Sequence, residues 1–292
     1  MKEIKRFDLF DLTQKFGLDI ESEDFVFKPQ ETSLNHYSEP HRSEMYSFGI
    51  ILKGAAQLKV GLENYNVQAP GLVVVSPDEI RQWVHWQDSL TIISIFFTEN
   101  FVVSGLSDTL FLKRLRLFKR KGSHFIPLNP EELTSMQTLF DEIEKKKTSG
   151  SLGKNIIVQA LLRALLLEAE GLQQIQTPTD SDKYSQAYQL TDKFKELLSK
   201  EFSKQREVSY YADRLFVTSK HLSQILKDQT GKTASELIEE IVCLEAKVLL
   251  QVNELNVSEI ADQLNFANPS FFSKFFKRYS GISPIEYRRS LS

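Results

Sequence analysis

Chemically reactive side chains are scarce in this sequence. Its 292 residues include 1 cysteine, Cys243, and 5 histidines. One cysteine excludes an internal disulfide and any metal cluster that several cysteines would hold. Long apolar runs are scarce too, since the most apolar stretch, residues 156–167, is too short to cross a bilayer and contains Gln159 and Arg163. The composition predicts a soluble, cytoplasmic protein with no membrane partner, in which Cys243 is a small core residue.

Neither sign of charge dominates the whole chain. Lys and Arg total 36 and Asp and Glu total 39, which gives a net charge of −3. This excludes a protein that is basic over its entire surface. The balance shifts toward the end, because residues 266–292 have Glu286 as their only acid and a local excess of bases: Lys274, Lys277, Arg278, Arg288 and Arg289. A local basic footprint of this kind is typical of a nucleic-acid contact.

Short segments rich in Val, Ile, Phe and Trp follow one another between residues 25 and 97. Turn residues such as those at 53–54 (Lys-Gly) and 70–71 (Pro-Gly) separate them. The predicted strands are 45–52, 57–60, 65–67, 72–76, 82–86 and 91–97. Strands of this length and spacing predict a small antiparallel barrel or sandwich. Such a barrel can hold one small ligand at its mouth.

A helical period replaces the strand pattern after residue 106. Asn129 and Pro130 are suited to cap and begin a helix that ends in basic residues at 145–147. A second helix, 154–171, is apolar on most sides and must be covered by something. The helix can pack against its own barrel or against a second copy of the chain, and the two do not exclude each other. We expect a homodimer, because leucines occupy so much of the helix circumference: Leu161, Leu162, Leu165 and Leu166.

Residues 173–182 are polar, contain Pro178 and have almost no apolar anchor. This composition is typical of a linker. The sequence therefore predicts a domain at 1–176, a linker at 177–182 and an all-helical domain at 183–292.

The C-terminal domain contains an internal repeat. Residues 212–215 (Ala-Asp-Arg-Leu) recur as 261–264 (Ala-Asp-Gln-Leu), an offset of 49 (261 − 212). Residues 230–231 (Thr-Gly) recur as 280–281 (Ser-Gly), an offset of 50 (280 − 230), so the second copy has one extra residue in between. Two copies form a duplicated supersecondary unit and not a solenoid, which needs at least about three repeats.

Each copy has the pattern of a helix-turn-helix unit. In the second copy, Asn256 can cap a helix with Glu259 three residues later, and Pro269 can begin the next helix after a short turn. Gly281 is expected to end that helix in a left-handed conformation. The two units span about 207–231 and 256–281, and a long helix at 234–251 joins them.

The second helix of each unit has polar side chains on one face, because positions i, i+3 and i+4 lie together on a helix. The matched sets are Lys220, Ser223 and Gln224 in the first copy and Ser270, Ser273 and Lys274 in the second. Such groups can reach base edges in a major groove, where Gln suits adenine and Lys suits guanine. Phosphate contacts are predicted about a turn later, for Lys227, Lys277 and Arg278. A solvated face explains either set alone, but recurrence at matched positions favours DNA.

Motifs of the second unit resemble those of a known family. Residues 257–261 (Val-Ser-Glu-Ile-Ala), 266–277 (Phe-Ala-Asn-Pro-Ser-Phe-Phe-Ser-Lys-Phe-Phe-Lys) and 281–284 (Gly-Ile-Ser-Pro) are similar to those of the AraC/XylS transcription regulators. The resemblance covers residues 182–292, and residues 25–97 more loosely resemble the cupin-like effector domain of many members. It implies two helix-turn-helix units in successive major grooves. The implied partners are double-stranded DNA, RNA polymerase and a small-molecule effector.

Two departures from the family pattern stand out. Asn265 replaces the usual Gly of the second turn, and Asn tolerates the left-handed conformation that the turn requires. A basic residue common near the start of the joining helix is replaced within 241–243 (Ile-Val-Cys), which predicts the loss of a phosphate contact.

The histidines raise the alternative of a cupin-type metalloenzyme with a helical appendage. Metal-dependent cupins use a His-x-His pair, a carboxylate and a later His, and this chain offers His36, His41, Glu44 and His85. Ser43 stands where a second pair member would follow His41, so polar residues at the barrel mouth are favoured over a metal site. We predict no metal, no cofactor and no catalytic residue. The predicted effector pocket comprises His36, His41, Tyr46, Trp83 and His85.

The predicted fold class is α+β multidomain, with an N-terminal cupin-like antiparallel β-barrel with helices and a C-terminal all-α double helix-turn-helix domain. The predicted function is that of a sequence-specific DNA-binding transcription regulator. The N-terminal domain is expected to control it through a small-molecule effector or through dimerisation.

Overall fold

The structure, a computed structural model, describes residues 24–32, 34, 37–106, 108–118, 124–148, 153–176 and 186–291. The chain clusters into two compact units that divide between Pro178 and Thr179. The described strands all belong to the N-terminal unit, and the C-terminal unit is helical. In the described ranges, no helix is both long enough and apolar enough to cross a membrane.

Two antiparallel sheets form the base of the N-terminal unit. The strands are β1 Phe25–Glu31, β2 Tyr46–Lys53, β3 Ala55–Val60, β4 Glu63–Gln68, β5 Gly71–Val75, β6 Arg81–Trp86, β7 Thr91–Phe97 and β8 Phe125–Pro127. One sheet has the order β1-β7-β2-β5-β8 and the other the order β4-β3-β6. The predicted fold class is confirmed. Over the described residues no ladder joins the sheets into a closed barrel, so the unit is an open sandwich.

The larger sheet is apolar on both faces, because each face is covered by a different layer. On β7, Ile95 and Phe97 pack toward the helices, whereas Ile92 and Phe96 pack toward the smaller sheet. Successive side chains of a strand point to opposite faces, so a strand covered on both sides is a nearly continuous apolar run. This double coverage explains why the segment 91–97 is so apolar.

The helices of the N-terminal unit follow the last long strand. They are α1 Glu99–Val103, α2 Phe111–Arg114, α3 Pro130–Lys147 and α4 Lys154–Gln176, with a 3-10 turn at Arg116–Phe118. Helix α3 begins as predicted: the Asn129 side chain accepts from the Glu132 amide at 2.9 Å, and the Glu132 carboxylate accepts from the Asn129 amide at 2.7 Å. Helix α4 continues to Gln176, so residues 173–176 are helical rather than part of a linker. The predicted linker, 177–182, lies outside the described residues.

Helix α4 is covered by its own domain. Leu162, Leu165 and Leu166 are fully buried in the core between the larger sheet and the helices, and Leu161 packs against that core. The expectation that these leucines form a dimer interface is therefore wrong, since an apolar pattern does not reveal which neighbour covers it. Other apolar residues of α4 stay exposed, with Ile156 at 70% and Leu167 at 54% exposure.

The C-terminal unit consists of short helices around one long one. They are α5 Gln186–Glu201, α6 Val208–Arg214, α7 Ser219–Thr230, α8 Ala234–Leu250, α9 Val257–Gln263, α10 Pro269–Ser280 and α11 Pro284–Ser290. Most of α8 is buried, and it contacts both α7 and α10. Cys243 is buried on α8, as predicted for a core residue. Helix α8 is thus the joining helix around which both predicted units are built.

Candidate nucleic-acid interface

The two predicted recognition helices, α7 and α10, begin and end alike. The side chains of Thr218 and Asn268 cap them by accepting from the amides of His221, at 3.2 Å, and Phe271, at 3.0 Å. Both helices end at a glycine in the left-handed conformation, with φ of 77° at Gly231 and 83° at Gly281. Local capping chemistry therefore gives two helices of the same length.

The turns that precede these helices share one unusual backbone conformation. Phe216 has φ of 58° and Asn265 has φ of 55°, so the left-handed conformation expected at Asn265 is present. The following amides donate back to the small residue of the preceding helix, from Val217 to Ala212 at 3.0 Å and from Phe266 to Ala261 at 2.8 Å. The repeat thus extends from side-chain types to backbone geometry.

Burial repeats along α7 and α10 as well. Leu222 and Leu226 are fully buried on α7, and Phe272 and Phe276 are fully buried at the positions 50 residues later. Phe271, one helical step from this buried stripe, is 59% exposed. Both helices therefore dock on α8 through equivalent positions and leave equivalent faces outside.

The residues predicted to contact bases lie on these outer faces. Lys220 and Gln224 are exposed on α7, and Ser270 and Lys274 are exposed on α10. Ser223 and Ser273, between them, are half-buried. The Gln224 amide donates to the Asp228 carboxylate at 2.8 Å, which holds the Gln224 side chain along the helix surface.

Of the residues predicted to contact phosphates, two differ from the third in their surroundings. Lys227 and Lys277 are exposed, and within the part of the chain that the structure describes no ion pair engages them. Arg278 instead pairs with Glu239 of α8, with 2.9 Å between Nη2 and the carboxylate, and Tyr279 donates to the same carboxylate. The two lysines are consequently available for a phosphate, whereas Arg278 already has an acidic partner.

Within the C-terminal unit, a contact that sequence reasoning missed connects the two helix-turn-helix units. The Arg206 guanidinium, just before α6, lies 3.6 Å from the centre of the Phe266 ring in the second turn. The Asn265 side chain donates to the Lys204 carbonyl at 3.1 Å in the same place. Burial lowers the pKa of Arg206. These groups are about 60 residues apart in sequence, so no local pattern reveals the contact.

The predicted effector-pocket residues are not brought together. His41 and Trp83 line a cavity between the two sheets, while Tyr46 lines a separate cleft on the helical side. His85 is exposed on β6, and His36 lies outside the described residues. Among the described candidate ligands of the metal-site alternative, Glu44 lines the cleft with Tyr46 and not the cavity with His41, so these residues do not converge.

Both cavities have electrostatic features of their own. The cleft, about 560 Å³ in volume, is bordered by Asp78 and Glu99, and burial together with these carboxylates raises the pKa of Tyr46 to about 12. The cavity between the sheets contains Arg81, a residue that sequence reasoning did not single out. Burial lowers the pKa of Arg81 to about 10. Alternation along β6 could have revealed it, because Arg81 and Trp83 point to the same side.

Sequence comparisons with known proteins agree with a C-terminal helix-turn-helix domain. Residues 211–290 match a helix-turn-helix domain family. The chain is 24% identical over 273 residues to the Msm operon regulatory protein of Streptococcus mutans, which covers 89% of this chain and 94% of that protein. It is 22% identical over 216 residues to the transcriptional activator RhaR of an Enterobacter species, covering 74% of this chain and 67% of RhaR. A crystal structure of ToxT from Vibrio cholerae aligns over 92% of this chain and 98% of that chain, at 18% identity and a TM-score of 0.42.

The duplicated units and their matched outer faces define a DNA-binding transcription regulator of the helix-turn-helix class. Residues 211–290 form a helix-turn-helix domain of the AraC/XylS type.

Proposed function

We propose that this regulator places α7 and α10 in two successive major grooves of its operator. Lys220, Ser223 and Gln224 contact base edges in one groove, and Ser270, Ser273 and Lys274 contact them in the next. Lys227 and Lys277 hold the flanking phosphates, with a smaller share for Arg278 because of its pairing with Glu239. The observation that carries the proposal is the repetition of cap, turn and burial at an offset of 49 or 50 residues.

Selection of the preferred duplex from a random pool tests this proposal. We expect two conserved blocks whose centres lie about 10 base pairs apart, one helical turn, because two recognition helices on one rigid joining helix address one side of the DNA. A Gln224→Ala variant should relax only one block and a Lys274→Ala variant only the other. A single conserved block that neither substitution changes would contradict the proposal.

The N-terminal domain is proposed to control DNA binding by taking up a small-molecule effector. Two cavities support this role, one between the sheets and one on the helical side. Family resemblance adds RNA polymerase as the partner on which a DNA-bound regulator acts. A compound that binds the N-terminal domain should change operator affinity, and compounds that bind without changing that affinity would count against effector control.

A homodimer is proposed through the part of α4 that its own domain leaves uncovered. Ile156, Ala160, Ala164 and Leu167 recur at helical spacing on this exposed side. Small residues between larger apolar ones allow a second helix to approach closely. In the proposed dimer this surface meets its own copy across a two-fold axis.

Sedimentation of the full chain tests the dimer. We expect Leu167→Lys to raise the dissociation constant about 30-fold, the size of a central interface residue. Tyr188→Lys, at an exposed aromatic residue on α5 in the other unit, is the control and should leave it unchanged. A wild-type chain that stays monomeric at tens of micromolar, or a dimer that tolerates Leu167→Lys, would refute this interface.

A further inference from the structure

The cavity between the two sheets contains a buried arginine whose hydrogen-bonding capacity is incompletely used. Arg81 is only 4% exposed. Its Nη2 donates to the carbonyl oxygens of Met45 and Ser76, each at a long 3.4 Å. Within the described residues, nothing accepts from Nε, and no carboxylate forms an ion pair with this guanidinium. A buried charge that relies on two long contacts to the main chain is poorly compensated.

Nearby carboxylates do not supply the missing partner. Glu79 and Asp78 are close enough to favour the charged form of Arg81. The Glu79 carboxylate, however, accepts from the Ser76 amide at 3.1 Å and lies 3.7 Å from Nε2 of His124. The Glu79 carboxylate therefore faces other groups, and Asp78 borders the separate cleft that Tyr46 lines. An arginine placed in this way lacks the one partner, a carboxylate, that its fork geometry matches best.

The cavity around Arg81 has the size and lining of a site for a small anion. Its volume is about 40 Å³, room for about three water-sized groups. Small side chains form its floor on the larger sheet, at Ser47, Gly49 and Ser94. Tyr37, which lines the cavity, accepts a hydrogen bond at 3.0 Å from Nζ of Lys28, so a second positive charge lies next to the lining.

The remaining lining is apolar. Val73 and Ile92 come from the larger sheet, Trp83 comes from the smaller one, and Phe96 and Leu34 complete the wall. A ligand for this cavity thus needs a charged head for Arg81 and an apolar body for these side chains. A neutral polar head would leave the guanidinium as poorly paired as it is without a ligand.

We propose that this cavity binds the carboxylate of an organic acid, with Arg81 as the anchor and the apolar wall holding the carbon chain. A carboxylate has three heavy atoms and would fill most of this space, so the carbon chain is either short or extends out through the mouth of the cavity. The proposal rests on the proposed effector role of the N-terminal domain and names the chemical class that the effector site recognises.

Thermal unfolding of the full chain with defined probes tests the proposal. The probes are acetate, butyrate and octanoate, the uncharged amide of each, and inorganic phosphate. At a concentration 100-fold above its Kd, a bound acid should raise the Tm of the N-terminal transition by about 5–10 °C, and its amide should not. The acid that gives the largest shift in Tm shows whether the site takes a small free acid or the carboxylate of an acid with a longer carbon chain.

Two variants identify the anchor. Arg81→Met should abolish the shift caused by the acid. Arg163→Met is the matched control, because Arg163 also donates to two main-chain carbonyls, of Val102 at 2.7 Å and Ser104 at 2.6 Å, but does not line this cavity. It should keep the shift. Without ligand, Arg81→Met should have the wild-type Tm or a higher one, because it removes a poorly paired buried charge. A purely structural Arg81 predicts a lower Tm instead.

If Arg81→Met does not fold, Ser94→Leu takes its place, since it fills the cavity floor and keeps the guanidinium. The proposal is overturned by a shift that survives in the variant, by amides that act as well as acids, by phosphate as the only active anion, or by no shift with any acid. An active amide would leave effector binding intact and reject only the anionic class. Operator affinity is also measured without ligand. If Arg81→Met and the wild type bind the operator equally, the DNA-binding function is intact, and a negative result with the acids or a positive one with the amides concerns the effector site alone.

Discussion

The two helix-turn-helix units have nearly the same backbone but different interiors. Leucines at 222 and 226 fill the first unit, whereas phenylalanines at 272 and 276 fill the second. Helix α9 begins with a complete capping box between Asn256 and Glu259, while the side chain of Glu207 makes no capping hydrogen bond at the start of α6. The comparison shows that the unit is defined by the positions of its cap, its turn and its buried side chains. Different apolar residues, leucine or phenylalanine, can occupy the buried positions.

The largest expected effect lies in these interiors. Phe276→Ala should lower the free energy of unfolding of the C-terminal unit by about 4 kcal/mol, and Leu226→Ala at the matched position by about 3 kcal/mol. Phe276 loses more because it also packs edge-on against Tyr287, with 5.5 Å between ring centroids. Urea unfolding of the full chain measures both, with the exposed Lys277→Ala as control. An equal or larger loss for Leu226→Ala would show that the edge-on contact of Phe276 with Tyr287 adds no stability to the second unit.

The contact of Arg206 with Phe266, between the two helix-turn-helix units, should have the next largest effect. Arg206→Ala removes a cation–π contact worth about 1 kcal/mol, and it should weaken binding to a duplex with both half-sites about fivefold. Binding to a duplex with the first half-site alone should not change, since Arg206 fixes the turn of the other unit.

Arg214→Ala is the matched control for this contact, because Arg214 stacks on Tyr210 within the first unit, at 5.1 Å. Arg214→Ala should therefore change the affinity for the two duplexes to the same extent. If Arg206→Ala weakens both duplexes alike, Arg206 is not a link between the units.

The smallest expected effect is a gain in stability in the first turn. Phe216 is 95% exposed at a left-handed φ that its counterpart Asn265 tolerates well. Phe216→Asn should therefore raise the free energy of unfolding by about 0.5–1 kcal/mol, because strain is relieved and almost no packing is lost. Phe271→Asn, at an exposed phenylalanine inside a helix, should bring no gain. A loss of stability in Phe216→Asn would mean that the Phe216 ring makes contacts that its exposure does not indicate.

Local signals account for what the sequence predicts well. Strand β7 has its predicted bounds, 91–97, and the capping residues Asn129 and Asn256 form their predicted hydrogen bonds. Each of these depends on residues within one turn or one strand. Strands β1 and β8 were not predicted, because one contains Pro29 and the other has 3 residues, too few for a period.

Long-range packing accounts for what the sequence does not predict. The leucines of α4 carry an apolar pattern that does not say whether the partner is a sheet or a second chain. The contact between Arg206 and Phe266 depends on which elements meet in space, and so does the presence of Arg81 and Ser94 in one cavity. For the candidate DNA interface, the residue types and their helical face follow from sequence, whereas the pairing of Arg278 with Glu239 does not.

The central claim is that the outer face of each recognition helix contacts bases, while residues about one helical turn later contact phosphates. The most direct test compares Lys274→Ala with Lys277→Ala. Binding to the preferred and a scrambled duplex is measured at three salt concentrations. Lys274→Ala should cost about 1–3 kcal/mol on the preferred duplex and little on the scrambled one. Lys277→Ala should weaken both alike and reduce the salt slope by about one ion. Equal losses on both duplexes for Lys274→Ala would make Lys274 a phosphate contact and contradict the claim.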